Sequence, residues 1–191
     1  MKPDTNTRFY QSLPCIPTAR LRLRKAHLDD AAAIYRYSSD EEVTRYLRWG
    51  PHKGLSQTEA YLKGVVAGYA EGEDGPWLIE EKQEMSVIGH VHLMDLSTAH
   101  SKAEVGIVLA TRFQHRGYAT EDLKAVLTFA FDRLGLNRVE GLCVRENRAA
   151  ARMMERAGMA REGILRGYYM QKGVFQDMAV HAILRDRSLG M

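Results

Sequence analysis

Residues 103–134 read AEVGIVLATRFQHRGYATEDLKAVLTFAFDRL, and the order of patterns inside them decides the fold. Ala103, Val105, Ile107 and Leu109 alternate along what reads as one face of a strand. A basic turn follows, Gln114-His115-Arg116-Gly117-Tyr118-Ala119. Ala119, Leu123, Val126, Leu127, Ala130, Phe131 and Leu134 then recur at helical spacing. Strand, glycine turn and helix in this order aim free backbone N–H groups and the positive end of a helix at an anion. Gly117 removes the side chain that would block a phosphate, while His115, Arg116 and Arg112 add positive charge. The stretch reads as a pyrophosphate cradle, although a surface turn before an ordinary helix shares its local pattern. Neither a GxxxxGK[ST] loop nor a GxGxxG turn in a βαβ unit is present.

Upstream, residues 1–17 read as an arm, because Pro3, Pro14 and Pro17 discourage helix. Thr18 to Arg24 alternates strictly as a first strand, with Arg20, Arg22 and Arg24 on a face expected to be solvated. A helix is expected from Leu28 to about Tyr37, and a short one from Ser39 or Asp40 to Trp49-Gly50-Pro51. Ser56-Gln57-Thr58-Glu59 is a capping-box pattern that opens a third, with Leu62, Val65, Val66 and Tyr69 on its apolar face. The period then changes from helix to strand: Trp77–Glu81 and Met85–Met94 form a hairpin, and 102–110 is the next strand. Downstream of the central helix come a strand at Arg138–Val144 and a helix opened by Asn147. Gly158 stands where a left-handed cap is expected, and strands follow at about 160–170 and 176–185. No repeat or linker interrupts the 191 residues, which read as one α/β domain.

Composition narrows the function class. No apolar run approaches the roughly 18 residues of a membrane span, and the start lacks the apolar core of a signal peptide. A cytoplasmic location is therefore expected, with no membrane partner. A formal charge of +3 suits a polyanionic small molecule without pointing to nucleic acid, and the Arg20–Arg24 row lacks interleaved aromatics. Two cysteines, Cys15 and Cys143, make neither a disulfide framework nor a metal site, and no metal is expected. Cys143, in an apolar strand, reads as a buried inert thiol.

Gln114-x-x-Gly117-x-Ala119 resembles the [QR]-x-x-G-x-[GA] acyl-coenzyme A loop of the GNAT acetyltransferase superfamily, in its required place between strand and helix. The likeness extends along the chain. Thr18–Arg24 is similar to the first strand of the ribosomal-protein N-terminal acetyltransferase branch, and Ala103-Glu104-Val105-Gly106 to its fourth. Asn147 with Glu155-Arg156-Ala157-Gly158-Met159 is similar to its N…EKxGF helix end, and Glu162–Arg166 with Asp177 to its closing hairpin. The resemblance implies a mixed, mostly antiparallel sheet of six to seven strands, splayed between the fourth and fifth and flanked by about four helices. It also implies acetyl-CoA as co-substrate. The pyrophosphate would lie on Gln114, His115, Arg116, Gly117, Tyr118, Ala119 and Thr120, the pantetheine along Ile107, Val108 and Leu109, and the cofactor arm near Asn147.

The implied reaction is direct attack of a primary amine on the thioester. An alkylammonium needs a base, and Glu104, just upstream of the splay, is the first candidate, a solvated strand glutamate being the alternative. His92, with His90 two residues before it, is a second candidate; half-exposed strand positions explain both histidines equally, and no third metal ligand is evident. A backbone N–H at Leu109 or Ala110 would stabilise the oxyanion. Many family members place serine and tyrosine three and seven residues after the asparagine. Here Ala150 and Met154 stand there, so Tyr169, Tyr168 or water would protonate the thiolate. Trp49 beside His52 reads as a substrate wall or as a core anchor. The expected acceptor is a protein or peptide N-terminal amine. A polyamine or aminoglycoside is the alternative within the same chemistry, and a non-catalytic acyl-CoA-binding module the alternative outside it. Monomer and homodimer both remain open.

Overall fold

The computed structural model describes residues 9–185. Residues 1–8 of the expected arm lie outside them. From Phe9 onward the arm is part of the core: Phe9, Tyr10 and Leu13 are buried, and Phe9 packs against Trp77 and Phe129. Tyr10 donates its hydroxyl to the Leu93 carbonyl (2.8 Å) and Trp77 donates Nε1–H to the Pro14 carbonyl (2.7 Å). Residues 9–11 are helical, since none of the prolines falls among them, and this turn carries the two aromatic anchors into the core.

Strands β1 (Ile16–Pro17), β2 (Leu21–Arg24), β3 (Trp77–Glu81), β4 (Ser86–Ser97), β5 (Lys102–Leu109), β6 (Arg138–Val144), β7 (Ala160–Gln171) and β8 (Val174–Leu184) form one sheet in the order β1-β2-β3-β4-β5-β6-β8-β7. That is eight strands rather than six or seven, because the two-residue β1 pairs with β2 at one edge. The splay expected between the fourth and fifth strands therefore falls between β5 and β6. Their pairing is the parallel one in the sheet. It joins Lys102, Ala103 and Glu104 to Arg138, Val139 and Glu140, and then stops. Every other neighbouring pair is antiparallel.

Helices α1 (Ala31–Ser38), α2 (Glu41–Thr44), α3 (Leu55–Glu71), α4 (Tyr118–Asp132) and α5 (Arg148–Arg156) flank the sheet. One face carries α1, whose Tyr37 meets His90 of β4; the other carries α4, whose Phe129 meets Trp77 of β3. Two helices differ from the sequence reading. The short second helix starts as expected, capped by Asp40, whose side chain accepts from the Glu42 N–H, but it ends after one turn at Thr44 instead of reaching Trp49-Gly50-Pro51. Helix α3 begins at Leu55 after Gly54, so Ser56 lies inside its first turn and the capping box does not form. Thr58 instead turns inward to the His52 ring nitrogen (2.7 Å). Among the described residues no helix is long and apolar enough to cross a membrane.

The arginine face of the first strand is exposed at Arg20 and Arg22, as expected, but it is also ion-paired along its length. Arg22 and Arg24 converge on the buried Glu80 (2.5 and 2.7 Å), and Arg24 also pairs with Asp30 (2.7 Å). Arg20 pairs with Glu121 at the start of α4 (2.6 Å). Glu80→Ala strips two guanidinium groups of a buried partner and is expected to cost about 3 kcal/mol. Urea unfolding at constant m-value is the measurement.

Asp122 contributes in the opposite sense. It is fully buried in α4, neither oxygen has a hydrogen-bond partner, and burial followed by the Glu121 charge pushes its carboxyl well above the usual range. The folded chain holds a proton there that the unfolded chain releases, so this group lowers stability as pH rises past the ordinary carboxylate range. Asp122→Ala should stabilise the fold by about 1–3 kcal/mol at neutral pH. The gain should shrink toward about pH 4 in a thermal-melt series, as the unfolded carboxyl regains its proton.

Candidate active site

Because β5 leaves β6 after Glu104, a gap opens whose two walls end in helix N-termini, α4 after β5 and α5 after β6. Two clefts, of about 290 and 350 Å³, meet there and share Ile107, Val108, Asn147 and Ala150.

The smaller cleft lies over the 114–120 loop. Gly117 caps α4 in the left-handed region (φ 82°) and His115 before it is also left-handed (φ 59°), so the loop makes two unusual turns within three residues. Only glycine holds the Gly117 conformation without strain. No side chain caps this helix end, and its first N–H groups remain for a ligand. Gln114 donates Nε2–H to the Leu109 carbonyl (3.0 Å), tying the loop to the end of β5.

The acids near this positive end are silenced. Glu121 accepts from Thr18 Oγ1, the Arg20 N–H and Arg20 Nε at 2.6–2.8 Å, and Asp122 is held neutral by burial. Arg20 also stacks on the buried Tyr118 ring (4.2 Å) and donates to the Arg116 carbonyl (3.0 Å).

Of the eleven residues expected at the cofactor, ten line this cleft: Ile107, Val108, Leu109, Gln114, His115, Gly117, Tyr118, Ala119, Thr120 and Asn147. Arg116 does not; its exposed side chain lies beside the Phe113 and Tyr118 rings. Cations missed in the sequence, Arg152 and Arg156, line the cleft from the polar face of α5. Their i, i+4 spacing behind an asparagine cap was the available signal. Asn147 Oδ1 accepts from the Ala150 N–H (3.1 Å), which makes it the cap of α5 and leaves its amide at the junction of both clefts.

The larger cleft occupies the α1 face of the sheet. Glu104 pairs with Met94 across β4–β5, His92 with Gly106 and His90 with Val108, so the two histidines and Glu104 share that face. Glu104 is half-buried and its carboxylate makes no hydrogen bond among the described residues; burial raises its pKa, opposed by the Arg48 charge. His90 is bound to the Tyr37 hydroxyl (3.0 Å) and burial drives its pKa down to about 3, which removes it as a base. His92 is also shifted down by burial, with Nε2 3.6 Å from Asp74.

Tyr168 and Tyr169 reach the cleft through a bulge in β7, where the register against β8 slips between Leu165 and Tyr169 and the Gly167 N–H is taken by Asp177 (2.8 Å). Trp49 is half-buried in the cleft wall, its ring 5.4 Å from His52. Cys143 is buried and its thiol is pushed up to about 11, so it stays protonated. The Ala110 N–H is spent on the Ile88 carbonyl (2.8 Å), whereas the N–H of Leu109, the other expected donor, is directed away from β4 into the gap.

Comparison with known proteins bears on this arrangement. Residues 20–160 match the Acetyltransferase (GNAT) domain family. The uncharacterized N-acetyltransferase YoaA of Bacillus subtilis (strain 168) is 31% identical over 91% of this chain and 98% of its own. A spermidine N(1)-acetyltransferase of Vibrio cholerae serotype O1 is 25% identical over 90% and 96%. The crystal structure of a GNAT-family acetyltransferase from Bacillus anthracis superposes with a TM-score of 0.81 at 26% identity, covering 91% of this chain and 99% of that one.

Gly117→Asp both strains the left-handed turn and places a negative charge at the uncapped helix end. It should weaken acetyl-CoA binding by about tenfold or more in a calorimetric titration, with the far-ultraviolet spectrum unchanged. Unaltered affinity in the folded variant would remove the cradle assignment.

Proposed function

The chain belongs to the GNAT acetyltransferase domain family, and on that premise we propose that it transfers the acetyl group of acetyl-CoA to the N-terminal amine of a protein or peptide. The observation that carries the proposal is the meeting of the two clefts at the β5–β6 gap, phosphate-ready helix end on one side and half-buried Glu104 on the other.

Acetyl-CoA supplies the activated thioester carbonyl. The uncapped 117–120 turn with Arg152 and Arg156 would hold its phosphates, and the strand amides freed at Ile107–Leu109 would pair with its pantetheine amides, since a buried amide must find a partner. Glu104 takes the proton of the incoming ammonium, directly or through water. Its raised pKa makes it a stronger base than an exposed glutamate while leaving it ionisable. His92, diagonal to Glu104 across the strand pair, is the second candidate base, its Nε2 buried and without a hydrogen-bond partner among the described residues. The Leu109 N–H faces the developing oxyanion. Tyr169 or water returns a proton to the departing thiolate, which leaves with little help because a thiol ionises not far above neutral pH.

A small-molecule polyamine is the second reading, favoured by the relative named for spermidine. The cleft lining speaks against it: Glu104 is its one carboxylate and Arg48 stands in the same wall, whereas a polycation calls for several acids. Release of CoA thiol with a peptide panel, and not with spermidine, is the expected result; turnover of spermidine alone would reverse the assignment.

Glu104→Gln should lower kcat by about 10²–10⁴-fold while sparing acetyl-CoA affinity. In the parent protein kcat/KM should climb as pH rises through the raised Glu104 pKa, because the base acts only when ionised, and this limb should vanish in the variant. Full activity in the variant would transfer the role to His92 or to water.

A further inference from the structure

Arg48 has no role in the chemistry above, yet it lines the larger cleft beside Glu104. Its guanidinium lies flat on the Tyr169 ring, 4.1 Å from the centroid. Among the described residues it has no carboxylate within ion-pair distance, so its donors are open to a ligand. The backbone leading into it is fastened to the end of β7. Gln171, buried at the end of β7, donates Nε2–H to the Arg45 and Leu47 carbonyls (3.3 and 2.7 Å), and Lys172 Nζ donates to the Thr44 carbonyl (2.9 Å). Arg48 is thus an exposed arginine at the cleft, positioned by the held backbone before it and by the Tyr169 ring. The phosphates of the co-substrate do not claim it, because Arg152, Arg156 and His115 line the other cleft.

We infer that Arg48 forms an anion subsite in the acceptor cleft, and that the acceptor is an amine carrying a carboxylate a short distance from the reacting nitrogen. The inference rests on the reading of this cleft as the acceptor site. Glu104 faces the ammonium and Arg48 the carboxylate, so the cleft is complementary to a molecule bearing both charges. A planar guanidinium presents paired N–H donors that match the two oxygens of a carboxylate, and stacking on Tyr169 pre-orients that fork without using its donors. The same charge repels a polycation, which gives selection by exclusion as well as by attraction. Such acceptors come from two sources, a polypeptide whose first residues are acidic and a free amino acid.

Initial rates with acetyl-CoA should be measured on a peptide beginning with glutamate, its counterpart beginning with glutamine, free glutamate, and spermidine. The expected result is a preference for the glutamate peptide over the glutamine peptide of about tenfold in kcat/KM, carried by KM. That ratio should fall to near unity in Arg48→Gln, and Arg48→Glu should shift preference toward spermidine. Free glutamate matching the peptide would identify the small molecule as the source. Equal rates on the two peptides in the parent protein, or a ratio unchanged in Arg48→Gln, would overturn the subsite while leaving the transferase reading intact. If no acceptor turns over, calorimetry with the N-acetylated glutamate and glutamine peptides in the presence of CoA decides separately. Tighter binding of the acidic product that is lost in Arg48→Gln upholds the subsite and faults the transferase reading; equal binding overturns both.

Discussion

The structure depends on one interrupted pairing. Strands β5 and β6 are hydrogen-bonded over three residue pairs and then part, which leaves the inner edge of Ile107–Leu109 with amide groups that no neighbouring strand satisfies. An open edge in the middle of a sheet is tolerable only if both strands are held from their outer sides and the gap admits a partner with its own amides. Both conditions are met. Strand β4 grips β5 along its length from Gly89 to Ser97, and β8 grips β6 over all seven of its residues. The helices that follow the two parted strands begin at the gap, so their positive ends converge where an anion completes the fit.

Electrostatic isolation of that gap is the second element of the design. A helix that begins Tyr-Ala-Thr-Glu-Asp carries two acids where a polyanion is to bind. One is turned aside by Thr18 and Arg20, from the turn between β1 and β2, and the other is buried and protonated. Arg20 thus links the sheet to α4 and to the loop at Arg116 and Tyr118, while Arg22 and Arg24 tie β2 to Glu80 and Asp30.

Local patterns carried much of this. The 114–119 turn, the strand Arg138–Val144, the cap at Asn147 and the left-handed Gly158 are each written within a few residues, where period and turn chemistry act. What escaped was decided by partners far along the chain. Arg22 and Arg24 meet Glu80 across more than fifty residues, and nothing in their own alternation distinguishes a paired face from a wet one. Ser56-Gln57-Thr58-Glu59 has the form of a cap, but Gly54 starts the helix earlier and Thr58 answers to His52. Ala110 was an equal candidate with Leu109 until the ladder showed its N–H already used. Arg48, Arg152 and Arg156 gave no signal as individual residues, since a basic side chain on a loop or helix is usually solvated. Their significance appears only when the two clefts are seen to divide them.

The last two strands secure the cleft wall in a way that bears on when the site can exist. Gln171 and Lys172, at the tip of the β7–β8 hairpin, hold the carbonyls of Thr44, Arg45 and Leu47, more than 120 residues earlier. The wall that bears Arg48 and Trp49 is made early in synthesis and fastened late. A nascent chain that has already formed β4, β5 and the 114–120 turn still lacks a fixed acceptor wall until this hairpin has left the ribosome. Cleavage within the hairpin of a finished molecule would undo the same fastening, so that one cut at the far end of the sequence would loosen the wall of the larger cleft while the 114–120 turn stood intact.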